Sequence, residues 1–566
     1  MIDIETTGLE INSTINFVGI HTFTSKEDEG TYYIYDMSKD KNKCVEHLKT
    51  IDKFIGHNAK FDAKLIKYNL GIDLKIWHDT MYLCYMCSNV AELETNRGKW
   101  LGLKHAAMRD LEVDSWDIDL KTKKSGNADV GEYLKYDLLY TRKLFEVYGD
   151  AIDTADLPTY NLMLKAANAY KDIELNGMYL DQHKLNELIS EYNKKSNENM
   201  FKLQKLADIN YCSPKQLQEL LFEKLDLPIV ERTKKGAAST GVSVLKELSG
   251  KHEVVDLILE KRNTDKALAF LKDWKERTIN GRLYANFNLH TTITGRTSCN
   301  NPNLQQVPRN KELKSIFCAP EGYDFIQMDY SQIELRFAAM AAGVEAMIQA
   351  YKSGEDLHTN MAKTITGKEE ITKADRTGAK AANFGYLYGM IAKTFVEYAK
   401  ATYGLDVSLE DATTIRNRFF DTNKELLSYY KKVEQELMSL GFLTNLFGRR
   451  YKVDFENLKT FSSRNLYTRK GINFTIQSAA SDFVLMALVE IHNKYKDDSR
   501  VKIVGTVHDS ILFEIAKGND DIIRDIKSIM EGPRLVSKYY KGNEFPLPIV
   551  ADVEVGPWGK GEPWNE

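Results

Sequence analysis

Apolar residues alternate with polar ones along some stretches of this chain and recur three to four apart along others, the signatures of strand and helix. Over the first 150 residues the two periods take turns. "INFVGIHTF" and "TYYIYDM" read as strands, "CVEHLKTID" as a helix and "KFIGHN" as another strand, an α/β pattern that runs out at "GDAIDTADLP", near 149–157. From Thr159 to about Lys275 long amphipathic helices dominate, such as "VVDLILEKRNTDKALAFLKDW". Strands return at "RLYANFNLHTT" and "DFIQMD", a helical block spans about 345–440, and the end combines a long helix, "INFTIQSAASDFVLMALVEIHNKY", with a hairpin, "VKIVGTVHDSILFEI". The block therefore reads as an insertion between two halves of a β-rich platform. One junction carries chemistry: "FIQMDYSQIELR" passes from strand to helix with Asp329 where the strand stops and Glu334 just over a turn beyond.

Length and composition refine this picture. At 566 residues the chain holds more than one domain, on a prior of about 150 residues each. No run of about 18 apolar residues predicts a membrane span, "MIDIETTGLE" lacks the basic start of a signal peptide, and sparse cysteine points to a reducing cytosol, so a cytoplasmic protein is expected, in the host's cytoplasm if viral. The net charge of −4 excludes a global basic field, although local basic patches hold phosphates on a neutral protein. Cysteine is too sparse for a disulfide framework, and the lone CxxC of Cys84 and Cys87 lacks the second pair a zinc site needs; two packed thiols in a helix is the reading.

Acids with cation-binding spacing occur twice. In "DIETTGL" Asp3 and Glu5 are two apart on a strand, so both carboxylates share one face and can bridge a divalent ion. "GHNAKFD" adds Asp62 at a helix start, and "EYLKYDLLY" adds Tyr133 and Asp137 at i and i+4 on one helix face. Each is weak alone, since a DxE is usually solvated surface. Together, four carboxylates and a phenol on separate segments suit a two-metal phosphodiester hydrolase, with the tyrosine orienting water. In the second half, Asp509 falls at the hairpin bend, where it can meet Asp329 at the tip of another strand; two aspartates suffice for Mg²⁺ ions completed by water and substrate phosphates. A third segment, "DRTGAKAANFGYLYGM", spaces Arg376, Lys380, Phe384 and Tyr388 four apart. On a helix that stripe is about 18 Å long at ~1.5 Å per residue, comparable to an extended nucleoside triphosphate, with cations toward phosphate and aromatics toward sugar and base.

The first set resembles the DEDD-type 3′→5′ exonuclease domain with its tyrosine variant, on Asp3, Glu5, Asp62, Tyr133 and Asp137, with "DTMYLCYM" and "LGLKHAAM" as intervening segments. Only Met1 and Ile2 precede Asp3, fewer residues than is usual in that family, which predicts a frayed first strand. The second set resembles motifs A, B and C of family A DNA polymerases, supported by "TTITGRTSCNNPNLQQVPRN", "GEDLHTNMA", "GFLTNLFGRRYKV", "RKGINFTIQSAASD" and "VEVGPWGKGEPW", so that nearly the whole chain is covered. A 5′ nuclease domain like that of longer relatives is not expected, which suggests a stand-alone, phage-type replicase.

The resemblance implies an α/β and α+β multidomain fold: an RNase H-like exonuclease domain at 1–150, then a right-hand polymerase at 151–566, with thumb about 165–285, palm about 286–345 and 430–566, and fingers about 346–429. It implies two Mg²⁺ in each site, with Mn²⁺ as a substitute: Asp329, Asp509 and the Tyr330 carbonyl in one, Asp3, Glu5, Asp62 and Asp137 in the other. Arg376, Lys380 and His358 hold the triphosphate, with Lys380 also a general acid. Gln332, Phe384 and Tyr388 line the nucleotide site. Glu334 fills the space of a ribose 2′-OH, and Phe384, where some relatives carry tyrosine, predicts poor use of dideoxynucleotides. Arg296, Arg469, Asn473, Gln477 and His508 contact DNA, with Arg296 and Gln477 on minor-groove acceptors common to all base pairs. The expected partners are primer–template DNA and dNTPs, and the expected state is a monomer. Ser510 departs from the family, which usually has an acid after His-Asp; with two aspartates left, activity is expected to survive. A single-subunit RNA polymerase shares the three core segments, but Glu334 and the nuclease set argue against it; the intact acids also argue against a non-catalytic DNA-binding relative.

Overall fold

The computed structural model describes residues 1–116, 127–540, 542, 545 and 547–564, without the side chains of 96–98 and 127–129. The N-terminal region is built on three antiparallel strands in sequence order, β1 (Ile2–Thr6), β2 (Ile15–Thr22) and β3 (Thr31–Asp36). Alternation sends Ile2 and Ile4 into the core and leaves Asp3 and Glu5 half-buried on the other face. The predicted fraying of β1 is not found: pairing with β2 starts at Ile2, opposite Ile20, and the Met1 ammonium donates to the His21 carbonyl at 2.5 Å. A parallel pair follows, β4 (Lys53–Gly56) and β5 (Lys75–Asp79), with helix α1 (Ala59–Leu70) between them. The buried Asp79 carboxylate accepts from the Asn58 and Ala59 amides at 3.0 and 2.8 Å and so caps the start of α1. Helix α2 (Thr80–Cys87) carries Cys84 and Cys87 as free thiols, as the CxxC reading expects. Helix α3 (Asn127–Ala151) lies across β1, β2 and β3, and Gly19 lets it come close: a Cβ there would lie 2.3 Å from Leu134 Cδ2.

Helix α4 (Leu157–Asn176) corrects one expectation. Its second half falls within the expected thumb, yet it packs on α1, α2 and β5 on one side and on palm elements on the other. Polar groups fix it there. Glu174 is buried between Lys60 and Lys64 (2.9 Å to the latter) and accepts from the Phe287 amide at 2.7 Å, while Asp172 takes Lys67 and His492 at 2.9 and 2.8 Å. A buried ion pair left with one partner is costly, so this network specifies how the two halves meet. Within the expected thumb, α5 (Gln182–Leu206) and α6 (Glu253–Arg277) pack together, and a separate apolar cluster, including Leu203, Leu221, Leu245 and Ile258, forms there.

The palm sheet has five antiparallel strands in the order β7-β8-β6-β9-β10, where β6 is Tyr323–Tyr330, β7 Val501–Val507, β8 Ser510–Ala516, β9 Ala551–Val555 and β10 Glu562–Pro563. After β6 the chain turns through Gln332, in left-handed backbone (φ 54°), into α7 (Ile333–Ala342). The block between the platform halves is helical, and includes α8 (Leu357–Thr366), α9 (Lys373–Leu387) and α10 (Lys424–Leu440). Helix α11 (Phe461–Tyr495) is long and apolar enough to cross a bilayer by composition, but its most apolar window is 89% buried inside the protein, where it packs on α4, α7 and α10.

Candidate active sites

In the N-terminal site, β1 presents Asp3 and Glu5, and α3 brings Asp137 down beside them. Each of the three offers a carboxylate oxygen, and these oxygens lie within 4.8 Å of one another. Asp62, in the first turn of α1, is buried; it accepts from the Ile4 amide at 3.1 Å and raises the Asp3 pKa. Burial, then Asp62, Asp137 and Glu5, pushes Asp3 well above the carboxylate range; burial and Asp137 push Glu5 up to about 7. Tyr133, one turn before Asp137 on α3, is held as a neutral phenol by burial and by the Asp137, Glu5 and Asp3 carboxylates. Mutually repelling carboxylates that resist ionisation form a hard oxygen donor set, which fits a divalent cation. Two neighbours escaped the sequence reading: Lys104, whose Nζ sits 4.6 Å over the Tyr133 ring and lowers the Asp3 and Glu5 pKa values, and Trp116, whose Nε1–H donates to Asp137 at 2.7 Å. No local periodicity marks either.

In the palm, β7 and β8 are joined by a two-residue turn, His508–Asp509, with Val507 opposite Ser510 and His508 in left-handed backbone (φ 54°). The turn is tied to the end of β6: the Tyr330 amide donates to the Asp509 carbonyl at 3.2 Å. The end of β6 that carries Asp329 therefore lies beside the bend that carries Asp509, and the Asp329 charge acts on Asp509. Burial, with Glu334 and Asp329 adding and Arg296 opposing, pushes Asp509 up to about 7; enclosure, then Asp552 and Glu554, with Lys314 opposing, pushes Asp329 up to about 6. Asp552 and Ser510 are the cross-strand partners of Asp329, on β9 and β8. Neither Asp552 nor Lys314 stood out in the sequence, because strand register is not written locally. This donor set also fits a hard divalent ion.

A cleft of about 450 Å³ opens from Asp509 and is lined by Arg296, Tyr330, Gln332, Glu334, His358, Lys380, Phe384, Gln477 and His508. A larger cavity of about 700 Å³, between α4 and the end of α11, contains none of the predicted residues. Glu334 is the hub of the smaller cleft: Oε1 accepts from Arg296 and, at 3.4 Å, from Gln477, and Oε2 accepts from the Tyr388 hydroxyl. Tyr388 thus braces Glu334 from outside the lining. His358 is buried, with Nδ1 2.9 Å from the Asn383 side-chain nitrogen, and burial lowers its pKa to about 4, so it faces the cleft as a neutral donor and not as a cation. Arg376 stands at the outer end of α9, its Nε 2.7 Å from Asp356. On α11, Arg469 is exposed and Asn473 half-buried, about two turns and one turn before Gln477 respectively.

A strand-tip aspartate joined to a hairpin aspartate, facing a cationic and aromatic helix, defines a palm-type nucleotidyltransferase, here joined to a carboxylate-rich phosphodiesterase. The chain belongs to DNA polymerase family A, whose family model matches residues 182–560, and the 3′-5′ exonuclease model matches residues 1–146. It is a DNA-directed DNA polymerase with a 3′→5′ exonuclease domain. It is 31% identical over 544 residues to DNA polymerase I of Aquifex aeolicus, covering 90% of each chain. It is 32% identical to DNA polymerase I of Caldicellulosiruptor bescii over 94% of this chain and 61% of that one, and 27% identical to the DNA polymerase of Bacillus phage SP01 over 89% of this chain and 62% of that one. The POL domain of Pol1 from M. smegmatis, solved in complex with DNA primer-template and dNTP, matches with a TM-score of 0.80 over 99% of this chain and 95% of its own at 23% identity, a likeness of fold.

Proposed function

We propose that this chain, acting as a monomer, extends a primer along a DNA template from dNTPs at the Asp329/Asp509 site and removes mismatched 3′ ends at the Asp3/Glu5/Asp62/Asp137 site. The observation that carries the reading is the hydrogen bond from the Tyr330 amide to the Asp509 carbonyl, which ties the hairpin bend carrying Asp509 to the strand end carrying Asp329, 180 residues away in sequence. Divalent ions, Mg²⁺ or Mn²⁺, held by Asp329, Asp509 and the Tyr330 carbonyl would activate the primer hydroxyl and neutralise the leaving phosphates. Lys380 grips the triphosphate and supplies a proton to the departing pyrophosphate. Arg376 joins it on leaving Asp356, and the neutral His358 donates one hydrogen bond. Phe384 faces the sugar. Glu334 occupies the volume a 2′-hydroxyl needs, and Tyr388 holds it there. Arg296 and Gln477 donate to minor-groove acceptors, which check pair shape without choosing sequence, and Arg469 and Asn473 continue that DNA track along α11.

The test is a labelled primer–template with a mismatched 3′ end, incubated with Mg²⁺ with and without dNTPs. Asp329→Ala is expected to abolish extension and spare degradation; Asp3→Ala is expected to do the reverse. Extension by Asp329→Ala at the parent rate would overturn the assignment.

A further inference from the structure

We propose that Arg296 keeps the polymerase site closed to metal until a paired primer end draws it away. Its guanidinium donates to Glu334 and lies 3.9 Å from Asp509 Oδ1, between the sugar-selecting acid and the carboxylate expected to take a divalent ion. Arginine does not lose its charge in a protein, so without DNA this cation already neutralises Asp509 and repels an incoming ion. The backbone at this point is pinned: Thr292 Oγ1 donates to the Arg296 carbonyl at 2.6 Å, and Ser481 Oγ to the Gly295 carbonyl at 2.7 Å. The side chain is 32% exposed, so it alone can swing.

This inference rests on the proposed roles of Asp509 and Arg296. The minor-groove edge of a correct pair offers acceptors at fixed positions, where a guanidinium exchanges one set of acceptors for another. A mispaired end displaces those acceptors, and Arg296 stays on Glu334 beside Asp509. Metal loading then depends on a paired primer end, so a mismatched end stalls at the polymerase site before any chemistry. Tyr388, which donates to the other Glu334 oxygen, holds the acid in place as Arg296 departs.

The test is Mn²⁺ binding to the full chain, read by electron paramagnetic resonance with DNA-bound ion subtracted. Asp3→Ala and Glu5→Ala in the background silence the other site. Arg296→Gln and Arg296→Met are compared with the parent, each checked for an unchanged melting transition, so that lost charge and not altered packing is read. Without DNA, both are expected to bind at least about fivefold tighter than the parent, the low end for a like charge near 4 Å. With a paired primer–template the gap should close to within about twofold, and with a mismatched end it should reopen. Equal affinities without DNA, or a gap indifferent to pairing, overturn the proposal. Asp509→Asn separates the two layers: if it leaves Mn²⁺ binding intact, the reading of Asp509 as a ligand fails, whereas if it abolishes binding while the Arg296 variants match the parent, only the present inference fails.

Discussion

Gly295→Ala tests why a glycine precedes Arg296. Gly295 has φ +71°, left-handed backbone, and a Cβ there would lie 2.7 Å from Arg449 Cζ, 2.8 Å from Nε and 3.1 Å from NH1. Arg449 has no room to yield. Its side chain is 2% exposed, and its NH2 and Nε bind Asp482 Oδ1 at 2.6 and 3.0 Å. Asp482 is itself fixed by Asn445 at 2.8 Å. Breaking a buried pair of this kind costs about 3–5 kcal/mol, so the loop gives way first. A left-handed alanine costs about 1–2 kcal/mol and a forced overlap in a packed interior about 1–3 kcal/mol, which brackets the loss at ~2–5 kcal/mol. Urea denaturation should show at least about 2 kcal/mol of destabilisation, and because the yielding loop carries Arg296, kcat/KM for primer extension should fall at least about tenfold. Gly378→Ala on α9 is the control: a Cβ there meets nothing within 4 Å, and stability should rise by about 0.4–1 kcal/mol. A Gly295→Ala chain within about 0.5 kcal/mol of the parent and with unchanged extension would refute the reasoning.

The other expectations concern sugar choice and protonation. Glu334→Ala should lower discrimination against ribonucleotides at least about tenfold, measured as the ratio of kcat/KM for matched dNTP and rNTP; an unchanged ratio removes Glu334 from sugar selection. Phe384→Tyr should improve dideoxynucleotide use about tenfold, because a phenol replaces the missing 3′-hydroxyl contact, and chain-termination bands read this directly. The pKa values of Asp509 and Glu5, raised to about 7, and of Asp329, raised to about 6, lie above their ordinary values of 3.8, 4.5 and 3.8. Folding thus favours their protonated forms, and the metal-free chain loses stability as pH rises from about 4 through about 7. Saturating Mg²⁺ relieves that repulsion, so it should raise Tm more at pH 8 than at pH 5.5; equal increments at both would contradict the charge assignment.

Much of the site was legible along the chain because local periodicity encodes which face a side chain occupies. Period two put Asp3 and Glu5 on one face of β1, and the i, i+4 spacing put Tyr133 and Asp137 on one face of α3. The same reasoning read Asp329 at a strand tip and Asp509 at a hairpin bend. It also read the helical block up to Leu440, but it misjudged α4, because an apolar helix between two domains carries no mark of which neighbours it will meet.

The sequence by itself determined which residues can carry the chemistry, since strand and helix geometry follow from neighbours a few positions apart. Tertiary structure alone decided their partners: Asp552 opposite Asp329, Lys104 over Tyr133, Asp356 on Arg376, and Arg296 on Glu334 rather than free in the cleft. Those choices depend on register and packing between segments from about 20 to more than 200 residues apart. There, burial, charge and close approach select one pairing among many that the chain order allows.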